Sequence, residues 1–371
     1  MTAAYSPDTQ TVPQRLDHIQ ALRGIAALLV MISHLLIVER KYSPDQILGD
    51  WAIYGMVGVD LFFVISGFIM VYVMWERPRG IKASGEFLYS RAARIYPLYW
   101  IISAVLLALW FVRPDMVFSS IQTSPDIFKS FALWPQDREP LLAVGWTLVH
   151  EMYFYLVFAG IMLLPRKALL PCLAIWFALI SAFHIYYIRG LPELNAATSL
   201  ITSKMTYQFM VGALLAWDFK RGGGVTPSGK FEKTAALILL VLGIIWMASE
   251  LTALREFPNN SGRGAALAGP CGLIVLGLAC RDLAGQRIWS PFVRLGDWSY
   301  SLYLTHVLSL TVLGRIWAQF STEGLIDNAI ILAVMVLATL IVSGLVYRYI
   351  EAPIIKAARN TRRRLFISSP N

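Results

Sequence analysis

The stretch Ile19–Glu39 reads IQALRGIAALLVMISHLLIVE. It is apolar almost throughout, yet it carries Arg23 and His34. About 20 apolar residues suffice for a helix to cross a hydrocarbon core about 30 Å thick. Comparable runs recur along the whole chain, near 54–75, 95–113, 146–164, 168–188, 204–218, 234–249, 262–280, 297–319 and 328–349. The run at 234–249 is short for a crossing. Of the 371 residues, 57% are hydrophobic and 15% charged, with a mean hydropathy of +0.59. A soluble domain carries about 25% charged residues, so this composition does not supply a water-facing surface. The fold class is therefore all-α: a polytopic integral membrane protein of about ten transmembrane helices in one bundle.

The net charge of +9 would suggest nucleic acid in a soluble chain. In a polytopic one it reflects Lys and Arg held in cytoplasmic loops. With the N-terminus inside, 21 basic positions fall on the inner side and 10 on the outer, with Arg23 inside the first span. That bias puts both termini in the cytoplasm, and an even number of spans requires the termini to share a side. The expected organisation is a cytoplasmic segment over 1–18, a membrane domain over 19–355 and a basic cytoplasmic tail over 356–371. No cleaved signal peptide is expected, because the first apolar run contains Arg23 and no clear small-residue cleavage site follows it. Residues 221–229 read as a flexible inner loop. The tail from Lys356 to Arg364 reads as a contact with anionic lipid. Cys172, Cys271 and Cys280 lie in apolar runs, odd in number and without metal spacing, and read as buried packing residues.

Charge within a bilayer is costly, so each such residue is a functional candidate. Arg23 and His34 stand 11 residues apart, which on a helix is about 1100° and about 16.5 Å of rise. They share a face, with Arg23 near the inner surface and His34 toward the outer one. The plainer readings are snorkelling for Arg23 and an interior hydrogen bond for His34. In the second span Gly67 suits close helix packing. Asp60 falls near the level of His34, where a carboxylate would orient an imidazole. Arg91 and Arg94 precede the third span, three residues apart. They are either ordinary inner-loop charge or a phosphate clamp, since guanidinium forks bind phosphate oxygens. The fourth span carries His150 and Glu151, with Glu151 read near the depth of His34. The ninth carries Asp297, Ser299, Tyr300, Tyr303 and His306. Glu351, at the start of the tail, reads as a partner of Arg348 or of charge at the lipid surface.

The chain resembles the membrane-bound acyltransferase 3 family. Arg23 and His34 match its Arg, ten residues, His hallmark. GVDLFFVISGF is present as Gly58–Phe68. Arg91 and Arg94 match its Arg-x-x-Arg element, and Ser299, Tyr300, Tyr303 and His306 match its Ser-Tyr-x-x-Tyr-x-x-His run. The likeness covers nearly the whole chain in order. Gly145–Glu151 is similar to the branch concerned with exopolysaccharide production.

The resemblance implies an O-acyltransferase of the cell inner membrane, with acetyl-CoA or another acyl-CoA as donor and no metal. It implies an acceptor hydroxyl on a surface or exported polysaccharide or its lipid-linked repeat unit. A small hydroxylated metabolite is the alternative acceptor. Arg23, Arg91 and Arg94 would hold the CoA phosphates at the inner mouth. His34 would serve as general base, or alternatively as the carrier of a covalent acyl group. Asp60, Glu151 and His306 would complete the catalytic set, and Ser66, Tyr303 and Ser299 are candidate oxyanion donors. The acceptor surface would be the outer loop 114–145. Two rivals from other classes are a transporter or flippase of a lipid-linked sugar and a non-catalytic scaffold of an export complex. Transporters tend to show inverted repeats, and none is evident. A scaffold gives no reason for Arg23 and His34 to share a face.

Overall fold

The structure is a computed structural model that describes residues 15–114, 125–187, 195–221, 230–254, 262–319, 321 and 324–367. The expectations for residues 222–229, for the greater part of 1–18 and for the 115–124 portion of the outer loop lie outside the described residues. Long helices coincide with all ten predicted spans. They are α1 (Asp17–Tyr42), α2 (Val57–Met74), α3 (Ile81–Val112), α4 (Gly145–Ile161), α5 (Leu169–Tyr187), α6 (Met205–Arg221), α7 (Lys230–Ala253), α8 (Ala268–Leu283), α9 (Ser290–Trp317) and α10 (Leu325–Val346). Beyond α10 a π-helical turn, Tyr347–Glu351, leads directly into α11 (Ala352–Arg362).

Among the described residues, seven helical stretches are long and apolar enough to cross a membrane, those containing α1, α2, α3, α5, α7, α8 and α10. The other three have physical reasons to fall short. Helices α4 and α6 have 17 residues each, and α9, though 28 residues long, carries charge at both ends in Arg294, Asp297 and Arg315. The seventh helix corrects the sequence reading: α7 has 24 residues, about 36 Å of rise, so it is not short. Helix α3 is a second correction. It begins at Ile81 and runs through Pro97, so Arg91 and Arg94 lie on its N-terminal half rather than in a loop.

Exposure is inverted relative to a water-soluble fold. Leu237, Ile238, Val241 and Ile245 of α7 and Ile330, Val334, Leu337 and Ile341 of α10 all stand exposed. Those are the faces that hydrocarbon would cover. The core holds the polar groups, among them Asp60, Gln208, Ser301 and His306, each fully buried. Of the cysteines, Cys271 is buried and Cys172 and Cys280 are half-buried.

Helix α1 packs most extensively on α9, and the two run parallel in one register. A Cβ on Gly24 would meet the Gly296 backbone nitrogen at 2.7 Å. A Cβ on Gly314 would strike the ring of Tyr42. Between these contacts His34 meets His306, 272 residues on, and the same offset joins Gly24 to Gly296 and Tyr42 to Gly314. On α1 the seam positions Gly24, Ala27, Met31, His34 and Val38 follow the three-then-four spacing with which parallel helices seat against each other. On α9 Gly296, Ser299, Tyr303, His306 and Leu310 do the same. Helix α2 lies as closely on α6, where Gly67 and Gly212 each leave no room for a side chain against the facing backbone. The packing role expected of Gly67 is thus the observed one.

Polar ties lock the helix ends. The Asp282 carboxylate, at the end of α8, accepts the backbone N–H of His18 at 2.8 Å and of Ile19 at 3.2 Å, as well as His18 Nδ1 at 2.7 Å. It supplies the cap that Leu16 cannot give to α1. At the far end of α1 the buried Glu39 carboxylate accepts Ile47 N at 2.7 Å and Asn328 Nδ2 at 3.0 Å, joining the loop after α1 to α10.

Gly296→Leu should push α1 off α9, with a destabilisation of about 3 kcal/mol. Gly160→Leu, where a new Cβ meets nothing within 4 Å, should be silent. Thermal melting of the detergent-solubilised protein followed by size-exclusion chromatography checks both; equal melting temperatures for the two variants would refute the packing argument.

Candidate active site

The polar residues singled out in the sequence fall into three groups. The first lines a cavity of about 810 Å³, open to the surroundings, between α1, α2, α3, α4 and α9. Arg23, Arg91, Arg94, Ser66, Glu151, Ser299 and Tyr303 all contribute to its wall. Glu151 is at the centre of the network. It accepts from Ser66 Oγ at 3.2 Å and from the Tyr155 hydroxyl. This corrects its predicted depth: Ser66 is six residues, about 9 Å, along α2 from Asp60, so Glu151 stands among the arginines rather than level with His34. Arg23 Nη1 donates to Gln20 Oε1 at 3.2 Å. Arg91 lies over the rings of Phe87 and Tyr155, at 5.3 Å and 5.6 Å.

The hydroxyls on this wall differ in what they can still donate. Ser66 has committed its proton to Glu151. Tyr303 and Thr147 share a 2.7 Å hydrogen bond, and Val144 O accepts from Thr147 at 2.9 Å and from Tyr303 at 3.3 Å. Tyr300 donates to Ile95 O at 2.6 Å. Ser299 Oγ alone among these is buried without a partner. A buried hydroxyl in that state retains its full donor capacity.

The second group is the histidine pair. His34 and His306 meet edge to face, with centroids 4.8 Å apart and planes at 76°. They are not among the cavity's lining residues. They adjoin it through Tyr303, whose ring is 5.8 Å from His306 and 5.8 Å from Phe62 of the cavity wall. Backbone carbonyls assign the tautomers. Val30 O is 2.9 Å from His34 Nδ1, and Leu302 O is 3.1 Å from His306 Nδ1. A carbonyl only accepts, so both rings carry the proton on Nδ1. His306 Nε2 is then a lone pair, 3.4 Å from the His34 Nδ1–H. His34 Nε2 is left as an unengaged base.

Asp60 forms the third group, and here the structure overturns the expectation that it orients His34. Its carboxylate accepts from Arg263 Nε at 2.9 Å and Nη2, and from Gln208 Nε2. Asp60 and Gln208 are fully buried and Arg263 nearly so. Arg263 Nη2 also donates to Met56 O at 2.6 Å. The ion pair clamps the start of α2 to α6 and to the turn before α8. The partner expected from a carboxylate is supplied to His34 by His306 instead.

Sequence reasoning missed Thr147, Tyr155, Arg263 and Gln208. Thr147 and Tyr155 had a readable signal, since each lies four residues from Glu151 and therefore on its helical face. Glu351 was read as a tail residue, but it is buried and accepts from Ser301 Oγ of α9 at 2.5 Å. The π turn that carries it turns this side chain inward. Nothing local marks Arg263 or Gln208, which reach Asp60 only through tertiary packing. His150 bonds back to Trp146 O at 3.0 Å and joins none of the three groups. Asp297 meets Arg15 at 2.7 Å and Gln20 at 3.0 Å, outside the cavity. Among the described residues no group of three or more His, Cys, Asp or Glu could hold a metal ion.

Asp60→Ala leaves the Arg263 guanidinium buried without its carboxylate and should cost about 3–5 kcal/mol. Pairing it with Arg263→Met should restore most of the loss. Melting temperatures of the single and double variants test this; a double variant no more stable than the single one would count against the clamp.

The acyltransferase domain family, acyltransferase 3, matches residues 16–348. The exopolysaccharide production protein ExoZ of Rhizobium meliloti is 32% identical over 83% of this chain and 92% of its own length. The acyltransferase MdmB of Streptomyces mycarofaciens is 26% identical over 96% of this chain and 95% of its own. The peptidoglycan O-acetyltransferase OatA of Listeria monocytogenes is 26% identical over 91% of this chain, which spans 55% of that longer protein. No solved structure matches the chain. With a family match over nearly its whole length and an interior of buried histidines and arginines between apolar helices, the chain belongs to the acyltransferase 3 family and is a multi-pass membrane O-acyltransferase.

Proposed function

We propose that the protein moves an acyl group, acetyl in the simplest case, from cytoplasmic acyl-CoA to a hydroxyl of a surface or exported polysaccharide or its lipid-linked repeat unit. The observation that carries this reading is the junction of two unlike features. A cavity walled by Arg23, Arg91 and Arg94 adjoins, through Tyr303 and His306, the imidazole of His34, whose Nε2 is free to take a proton. Guanidinium groups suit the phosphates of a CoA donor. A neutral imidazole suits the activation of a hydroxyl nucleophile. The inner membrane, with both termini cytoplasmic, is supported by the two-to-one excess of Lys and Arg on the side that holds the termini. That side holds the donor.

In this mechanism His34 Nε2 takes the acceptor hydroxyl proton as the oxygen attacks the thioester carbonyl. The resulting imidazolium is stabilised at Nδ1 by Val30 O and by the His306 Nε2 lone pair. The tetrahedral oxyanion needs a donor with a proton to spare. Of Ser66, Tyr303 and Ser299, Ser299 retains that capacity and Tyr303 is the one beside the histidine pair. Collapse of the intermediate breaks the C–S bond, and the departing CoA thiolate recovers the proton from His34. The products are the ester and CoA. Glu151 acts as a positioning residue, holding Ser66 and Tyr155 on the cavity wall. A glycan acceptor is supported by the names of two relatives, an exopolysaccharide production protein and a peptidoglycan O-acetyltransferase.

Purified protein in nanodiscs, given labelled acetyl-CoA and a glycan acceptor, should release free CoA and label the glycan. His34→Ala should reduce the rate by about 10²–10⁴-fold with the melting temperature retained; undiminished transfer would remove His34 from the mechanism. Arg91→Ala with Arg94→Ala should raise the Kd for CoA while leaving acceptor binding near wild type. Equal losses of both would refute the clamp. Mass spectrometry of surface glycans from cells with and without the protein identifies the acceptor.

A further inference from the structure

Inward of the catalytic cavity lies a second one of about 1080 Å³, between the α2–α3 turn, α3 and the C-terminal helix α11. Its wall carries Arg77, Arg79, Lys82, Arg91 and Arg362 against a single carboxylate, Glu86. Arg362 Nε approaches Glu86 only to 3.7 Å. Arg79 Nε and Nη1, Arg91 Nε and Arg362 Nε are all buried with no hydrogen-bond partner. Buried guanidinium donors without acceptors carry a heavy desolvation cost, and an anionic ligand would relieve it. Burial and the neighbouring Arg166 push the Arg79 guanidinium below its usual value, as expected of a cation lacking a counter-charge. Arg91 lines both this cavity and the catalytic one. A third cavity, lined by Arg91, Arg94, Arg359 and Arg362, adjoins them.

We infer that the inner cavity is a phosphoanion subsite in which Arg79 and Arg362 hold the nucleotide end of the acyl-CoA donor, making the C-terminal helix part of the active enzyme. The inference rests on the donor reading given above and extends it to residues outside the Arg91–Arg94 pair. The shape of the ligand favours a nucleotide over a lipid headgroup. CoA carries its phosphates at one end and its thioester at the other, joined by a thin arm. The two cavities, which share Arg91 in their walls, offer a basic compartment and a reactive one. Within the basic segment Lys356–Arg364, Arg359 and Arg362 line these cavities.

The test needs no variant at first. Full-length protein in phosphatidylcholine nanodiscs is treated with phenylglyoxal, with and without CoA, and arginine modification is read by mass spectrometry. CoA should protect Arg79 and Arg362, and 3′-dephospho-CoA should protect them less. Protection seen only in phosphatidylglycerol nanodiscs, and indifferent to CoA, would assign the cavity to a lipid headgroup and overturn the inference. Arg79→Ala with Arg362→Ala should then weaken CoA binding at least about tenfold. CoA binding that persists in the wild type while both arginines stay unprotected would overturn the subsite and leave the donor reading intact. A wild type that binds no CoA would defeat the donor reading itself, and the subsite with it.

Discussion

The parallel seating of α1 on α9 is the constraint from which the site follows. Glycine at 24 and at 296 lets the two backbones come together near their N-terminal ends. From there both helices rise through the same ten-residue interval, so His34 and His306 arrive side by side. A slip of one residue in this register would turn one imidazole about 100° away from the other. The pair has no redundancy, because each ring's Nδ1 is already spent on its own helix backbone. The close approach of the helices thus determines the distance between the rings, and a carbonyl of its own helix the tautomer of each.

A membrane interior accepts charge only where protein surrounds it. This bundle sorts its charges by task. Asp60 and Arg263 neutralise one another and secure α2. Glu151 and the arginines share an open cavity, where a ligand can meet them. The histidines are kept apart from both, in an apolar seam that leaves His34 Nε2 free. A carboxylate beside His34 would raise its basicity but would also hold the proton. A second neutral imidazole supports the ring without trapping it.

The ends of the bundle are treated differently from its middle. One end is rich in Arg and Lys, and α11 packs against α3 there. At the other end Glu39 ties the loop after α1 to α10 through neutral partners.

Much of this was legible in the chain itself. Hydrophobic run length alone located ten long helices, because a helix that meets hydrocarbon needs an apolar run of about 20 residues. The Arg23–His34 spacing and the Arg91–Arg94 pair marked the functional helices before any contact was known, since charge in an apolar run is costly enough to need a reason. The partners of those residues were decided by tertiary structure. Asp60 looked like the companion of His34 because both lie toward the outer side, but depth along a helix says nothing about the direction a side chain faces between helices. Arg263 and Gln208 reach Asp60 from about 200 and 150 residues away, and His306 reaches His34 from 272. Local sequence determines which residues enter the membrane; only the packing of one helix on another decides which of them meet.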